Sequence, residues 1–299
     1  MSKDLVARMK DRSPRALKDA ANTVTRAYGM RTAERRHLPD FMVIGTKRGG
    51  TTSLWNYLVQ HPLVMPMYPA SRGLKSPWYF YVNYAKGDTW YRSHFATERQ
   101  LDEVEAAHGT RPVTGEACPY YLYYPAAPER IAARMPELKV IVVLRDPVKR
   151  AYSHYWEAVG KGVEDLGFEE ALAAESERLR GELERMAADP LYYSEPHDFH
   201  SYRDRGIYLP QLELWTKHFP RENFLIMSAD ELYGDEQAAV DRVCGFLGLP
   251  PHRMKSAERH NHLPAPPMNP ETRQELTEFY RPHNRALFDW LGEDYGWPS

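Results

Sequence analysis

The sequence predicts an α/β protein organised on a mainly parallel central sheet. Three observations carry this. From residue 40 onward, strand-like runs alternate with helical ones, the order that produces right-handed crossovers and parallel pairing. Lys139-Val-Ile-Val-Val-Leu144 is an almost unbroken β-branched run, as a central strand covered on both faces requires. The first apolar run, Phe41–Gly45, leads directly into a glycine-rich turn, Thr46-Lys47-Arg48-Gly49-Gly50, and then into a helical pattern opening on Thr51-Thr52-Ser53.

In chain order, residues 1–39 carry ten Lys/Arg against four acids and read as a basic helical extension. Ser13-Pro14 has the form of an N-cap with proline at the first helical position, and Leu17, Ala20/Ala21, Val24 and Tyr28 follow at helical spacing. The segment fits a helix docked on the body or a frayed tail, and alternatively a peripheral membrane contact made through residues 1–36. Strands are expected at Phe41–Gly45, Val113–Ala117, Lys139–Leu144 and Asn223–Ser228. Helices are expected at 51–60, 126–135, 147–159, 207–218, 236–247 and 271–291. Two stretches break the alternation: aromatic-rich 66–95, and 160–205, whose first part is a charged helical segment at 163–188. Insertions at the ligand edge of such a sheet often form acceptor walls or lids; the aromatics of 66–95 are equally suited to packing the insertion itself. We read 40–299 as a single domain with insertions at 66–95 and 160–205.

With 42% apolar and 27% charged residues, the chain can build an ordinary soluble core. Its net charge of -2 excludes a nucleic-acid binder that works by overall charge. No run approaches the roughly 18 apolar residues of a membrane span, and the basic N-terminus lacks an apolar h-region, so a cytoplasmic, in part membrane-associated, location is expected. Cys118 and Cys244 read as two buried thiols of a reducing compartment.

The chemistry sits at two strand ends. Gly45 and Gly50 have the Walker A separation and Thr52 takes its hydroxyl position, but Thr51 stands where that motif has lysine. Such a turn still directs backbone N–H groups and a helix N-terminus at one anion. The second constellation is Leu144-Arg145-Asp146-Pro147-Val-Lys149-Arg150-Ala-Tyr152-Ser153. There Asp146 can cap the next helix, Arg145 can fork onto a phosphate and Ser153 can add a hydroxyl. Alone it reads equally well as an Arg–carboxylate pair with an ordinary helix serine. Two phosphate-type sites at neighbouring strand ends suggest a nucleotide phosphorylated at both ends of its ribose.

These motifs resemble those of sulfotransferases that use 3′-phosphoadenosine 5′-phosphosulfate (PAPS), in the heparan-sulfate-type and bacterial branch. Gly45–Ser53 resembles the 5′-phosphosulfate loop, and Arg145–Ser153 the 3′-phosphate motif. Gly115-Glu116-Ala-Cys118-Pro119-Tyr-Tyr resembles G-E-x-S-P-x-Y. His260–Met268 with Glu278–Asn284 resembles the C-terminal loop and helix of that branch. The resemblance implies a P-loop-like three-layer fold, with PAPS as co-substrate and no metal. It implies that Arg48, Gly49, Gly50, Thr51, Thr52 and Ser53 cradle the phosphosulfate while Arg145 and Ser153 hold the 3′-phosphate. A segment within Arg259–Ala265, including Arg259 and His262, would close over the nucleotide. His260 and His262 as an H-x-H pair otherwise read as solvated side chains.

Two departures bear on mechanism. Arg48 stands in the place of the family's usual lysine, with Lys47 beside it, and both are the expected stabilisers of transferring charge. Lys75-Ser76-Pro77-Trp78-Tyr79-Phe80 puts serine where many members have their basic glutamate. Glu116 and His94 are the substitutes the sequence offers as base. The expected reaction is sulfuryl transfer to a hydroxyl or amine of a small-molecule, glycan or glycolipid acceptor, phenols and other alcohol metabolites included. The alternatives are a P-loop nucleotide kinase, which Thr51 and the lack of a Walker B acid disfavour, and a nucleotide-binding pseudoenzyme lacking a base. A membrane scaffold built on the first helix has no support beyond residues 1–36.

Overall fold

In a computed structural model of the chain, residues 15–258 and 265–299 are described, residues 15–21 by backbone only. The expected cap at Ser13-Pro14 and the segment holding Arg259, His260 and His262 lie outside them. The elements run α1 (Arg15–Arg31), β1 (Phe41–Gly45), α2 (Thr51–Leu58), β2 (Val64–Met65), α3 (Asp88–Arg92), α4 (Glu98–His108), β3 (Val113–Ala117), α5 (Ala127–Ala132) and β4 (Lys139–Leu144). They continue with α6 (Pro147–Gly160), α7 (Phe168–Arg178), α8 (Glu182–Ala188), α9 (Glu195–Phe199), α10 (Tyr208–Thr216), β5 (Phe224–Ser228), α11 (Ala229–Gly234), α12 (Glu236–Leu247) and α13 (Pro270–Leu291).

The sheet order is β2-β3-β1-β4-β5 and every pair is parallel. This is the P-loop-like α/β architecture, a parallel central sheet flanked by helices. β1 is buried throughout, and so is β4 from Val140 onward, as their apolar runs require. The reversal of strand order falls at β1, between β3 and β4, and a ligand crevice is expected beyond the carboxyl ends of strands at such a point. The β1–α2 and β4–α6 turns both lie there. A continuous apolar core packs around the sheet. A second cluster, built on Val148, Tyr155, Phe168, Leu172, Leu276 and Tyr280, joins α6, α7 and α13.

Several elements differ from expectation. β2 has two residues, too few to show alternation. α4 is set by a capping box between Thr97 and Gln100 but buries only Leu101, so its apolar stripe is thin. The charged 163–188 stretch divides at Gly181, whose φ is 74°, into α7 and α8. Ser228 ends β5 and immediately caps α11. Within 66–95, Tyr79, Phe80 and Tyr91 are fully buried, with Tyr79 and Tyr91 stacked at 4.6 Å. Most of the aromatic stretch is therefore packing, and Trp78, 41% exposed, is its outward member.

α1 docks through cations. Arg26 donates to the Ser93 carbonyl and Oγ at 2.8 and 2.7 Å, and Arg36, just beyond α1, donates to the Phe95 carbonyl. Val24 and Tyr28 of the apolar stripe face solvent. No helix among the described residues is long and apolar enough to cross a membrane.

Candidate functional site

The β1–α2 loop is shaped by two glycines. Gly50, at φ 110°, occupies backbone space that side chains disfavour, and a Cβ there would stand 2.9 Å from the Tyr233 hydroxyl. A Cβ on Gly49 would press within 2.6 Å of the Val143 carbonyl. The loop therefore lies directly on β4, and the Thr46 N–H donates to that same carbonyl at 2.8 Å. α2 then opens with Thr51, Thr52 and Ser53 at its positive end. Lys75 reaches across to Thr52 Oγ1 at 2.7 Å, and the Tyr233 hydroxyl donates to Ser53 Oγ at 3.2 Å.

The β4–α6 turn meets this loop. Asp146 caps α6 by accepting from the Val148 and Lys149 amides, and Pro147 follows at the first helical position. Arg145 Nη1 donates to the Arg48 carbonyl at 2.9 Å, while Arg48 Nε donates to Ser153 Oγ at 2.9 Å. The two anion-type motifs are thus wired together, Arg145 to the backbone of Arg48 and Arg48 to Ser153. All three line one cleft of about 600 Å³, shared with Lys47, Gly50, Thr51 and Thr52. Trp78, Tyr120, Lys149, Tyr152, Trp156 and Arg273 also line it. Gly49 and Ser53 sit behind this lining, in the loop and at the start of α2.

Lys47 is 3% exposed. Its ammonium lies between the rings of Tyr120 and Phe199, 5.0 Å from each, and donates to the Asp198 carbonyl at 3.0 Å. Burial and then the charge of Arg205 lower its pKa to about 7, with Asp198 and Glu157 opposing. Asp198 comes from α9 in the second insertion, a partnership no sequence spacing announces.

Neither proposed base faces this cleft. Glu116 is fully buried on β3, among Tyr91 and Tyr121, and neither hydroxyl makes a hydrogen bond of regular geometry with it. Burial raises its pKa to about 8, against the opposing influence of Tyr121 and Tyr91. The carboxyl is inside the protein because a strand residue in a sheet covered on both faces points into a helical layer. His94 is a packed helix-end residue: its Nδ1 faces the Trp90 carbonyl at 2.8 Å and its ring meets Trp90 edge-on at 4.4 Å. Burial and the nearby charge of Arg26 push its pKa down to about 3. Ser76, at the glutamate position, has a structural task. Its Oγ accepts the Trp78 N–H at 2.8 Å, holding a turn in which Trp78 has a φ of 54°.

The carboxylate that does line the cleft beside Lys47 is Glu157, on α6 one turn beyond Ser153. Its Oε1 accepts from Lys161 Nζ at 2.7 Å, and its Oε2 is buried without a hydrogen-bond partner among the described residues. Burial alone would raise its pKa, but Lys47 and the Lys161 hydrogen bond and charge outweigh it, so the group titrates below the usual glutamate range. The sequence did contain a signal for this residue: Ser153, Glu157 and Lys161 share one helix face at i, i+4 and i+8.

A parallel sheet with a glycine-rich loop and a second Arg/Ser cluster at its carboxyl edge is the arrangement of a P-loop-like α/β fold. The family model for the sulfotransferase domain matches residues 38–278, and the chain belongs to that family. It is 30% identical over 289 residues to the human heparan sulfate glucosamine 3-O-sulfotransferase 3B1, an alignment covering 88% of this chain and 65% of that protein. It is 31% identical over 288 residues to the human heparan sulfate glucosamine 3-O-sulfotransferase 6, covering 88% of this chain and 75% of the relative. The chain thus spans less than two thirds of the first relative's length. The crystal structure of a sulfotransferase from Alicyclobacillus acidocaldarius superposes with a TM-score of 0.64 at 27% identity, covering 86% of this chain and 97% of the other.

Proposed function

We propose that this protein transfers a sulfuryl group from PAPS to a hydroxyl or amine of an acceptor. The observation that carries this reading is the link from Arg145 through Arg48 to Ser153, which joins a 5′-phosphate loop and a 3′-phosphate motif in one cleft. The amides of Gly49 to Ser53 and the hydroxyls of Thr51 and Thr52 orient the phosphosulfate. Lys75, held on Thr52, adds positive charge. Arg48 and Lys47 stabilise the charge that builds on the bridging oxygen as the sulfuryl group leaves. Arg145 and Ser153 select the 3′-phosphorylated nucleotide. Positioning and preorganised charge then supply most of the acceleration, as for phosphoryl transfer. Ala265 lines the cleft, which supports Arg259 and His262, a few residues earlier, as contacts closing over the nucleotide.

For the acceptor we propose a glycan or glycolipid. The relatives named above act on heparan sulfate, and Trp78 with Tyr120, rings 5.5 Å apart, gives the cleft an aromatic face for a sugar ring. Residues 40–299 form one domain in this reading, and both insertions contribute to the site, Trp78 from 66–95 and Asp198 from 160–205. Exposed Val24 and Tyr28 on the basic α1 support a peripheral membrane contact through residues 1–36, and the two buried thiols, Cys118 and Cys244, suit a cytoplasmic setting. The test is transfer of radiolabelled sulfate from PAPS to a panel of heparan sulfate, a glycolipid and a simple phenol. Labelling of at least one supports the reading, whereas donor binding with no transfer to any would make the chain a nucleotide-binding pseudoenzyme.

A further inference from the structure

We infer that Glu157 is the general base of this sulfotransferase, taking the acceptor proton on its Oε2. This rests on the sulfuryl-transfer reading and supplies the residue that reading lacks. Four observations carry it. Glu157 lines the cleft shared by Lys47, Arg48 and Ser153. It follows Ser153 by one turn on the same face of α6, so its carboxyl lies beside the cations assigned to the leaving phosphate. One carboxylate oxygen is anchored by Lys161 at 2.7 Å, which fixes the group, while the other is buried and, among the described residues, accepts from no donor. A desolvated lone pair held in place without a donor is unfavourable in a resting protein and is what a proton acceptor requires.

The other carboxylates near the loop are placed differently. Glu116 is sealed beneath β3. Asp198 is engaged on both oxygens, by Lys47 at 3.4 Å and by the Tyr193 hydroxyl at 2.9 Å. Asp230 also lines the cleft, from α11, the helix that carries Tyr233 and Ala229. Glu157 is ionised at neutral pH because Lys47 and Lys161 outweigh its burial. Serine at position 76 is then no gap in the machinery. That residue holds the Trp78 turn, and the carboxylate faces the cleft from α6.

In the step, the acceptor oxygen or nitrogen forms its bond to sulfur as the bond from sulfur to the bridging oxygen of the 5′-phosphate breaks. The electron pair leaves with the 3′,5′-bisphosphate, and the acceptor proton passes to Glu157 Oε2 and leaves through the 17% of the carboxylate side chain that reaches solvent. A carboxylate made less basic by its neighbours acts late, once the attacking group has been acidified by bonding to sulfur.

The experiment compares the unaltered chain with Glu157→Gln in two measurements: calorimetric binding of 3′-phosphoadenosine 5′-phosphate, and sulfate transfer from PAPS to heparan sulfate and to 4-nitrophenol. The expected result is bisphosphate affinity within about threefold of wild type, transfer to heparan sulfate lower by roughly 100-fold, and a much smaller loss with the acidic phenol, which ionises without help. Retention of heparan sulfate transfer within about threefold overturns the inference. So does an equal loss with both acceptors together with weakened bisphosphate binding, which would make Glu157 a donor-site residue. Wild type that binds the bisphosphate but sulfates neither acceptor also counts against it. Failure of wild type to bind the bisphosphate at all overturns the sulfuryl-transfer reading instead.

Discussion

Arg48 Nε donates to Ser153 Oγ across 2.9 Å, tying the loop after β1 to the second turn of α6. A guanidinium held this way is fixed in the wall of the cleft that Arg48 lines. Ser153→Ala removes the tether and one phosphate contact. We predict bisphosphate binding weaker by about tenfold, the equivalent of one hydrogen bond. Arg48→Ala should lower kcat/KM by roughly 10²- to 10³-fold. The double variant should lose less than the sum, because the two side chains act as a unit. Additive losses would separate them.

Lys47 gives the donor site its own pH dependence. With its pKa lowered to about 7 by burial and Arg205, the ammonium is charged below that pH and neutral above it in the free protein. A polyanionic nucleotide binds the charged form better, so affinity for the bisphosphate should fall as pH rises from 6 to 9, with proton uptake on binding above pH 7. Calorimetry in buffers of different ionisation enthalpy reads that uptake. Lys47→Arg, charged throughout, should flatten the dependence.

Glu116 is expected to act on stability and not on turnover. Its pKa in the folded chain, about 8, stands well above the ordinary carboxylate value. Between roughly pH 4.5 and 8 the folded protein holds a proton that the unfolded chain has released. Stability contributed by this group is therefore greatest below that window and is lost as pH rises through it. Glu116→Gln avoids the loss. Its Tm should exceed that of wild type by several degrees at pH 8, by less at pH 5, with transfer activity within about twofold. A large drop in turnover with normal Tm would restore Glu116 as a catalytic candidate.

The glycines of the loop can be ranked. Gly50→Ala must hold φ 110° and meets the Tyr233 hydroxyl at 2.9 Å, a side-chain contact that can yield. It should cost about 1–2 kcal/mol of stability and weaken bisphosphate binding by at least tenfold. Gly49→Ala meets the Val143 carbonyl at 2.6 Å, a backbone atom of β4 that cannot yield, and should be the more damaging change. Urea denaturation and calorimetry measure both.

Much of the architecture was legible because it depends on contiguous residues. The apolar runs at 41–45 and 139–144 can only be buried strands, and Asp146-Pro147 announces a helix start. The donor loop was readable for the same reason, since glycines and hydroxyls at fixed offsets define it. What escaped depends on distant contacts or on direction. Two-residue β2 has no period to detect, and α4 carries one buried apolar residue. Asp198 reaches Lys47 across 151 residues. Glu116 sits at a strand end near the ligand edge, yet its side chain points into the helical layer, and sequence position does not state that direction. Glu157 went unread: its spacing makes it a helix-face neighbour of Ser153, but only the fold shows that this face lines the cleft.

The most direct measurement compares binding of 3′-phosphoadenosine 5′-phosphate and 5′-AMP by calorimetry. A cleft that joins the Gly49–Ser53 loop to Arg145 and Ser153 should bind the bisphosphate at least 100-fold more tightly, about 2.7 kcal/mol. Equal affinities would contradict the account of the site.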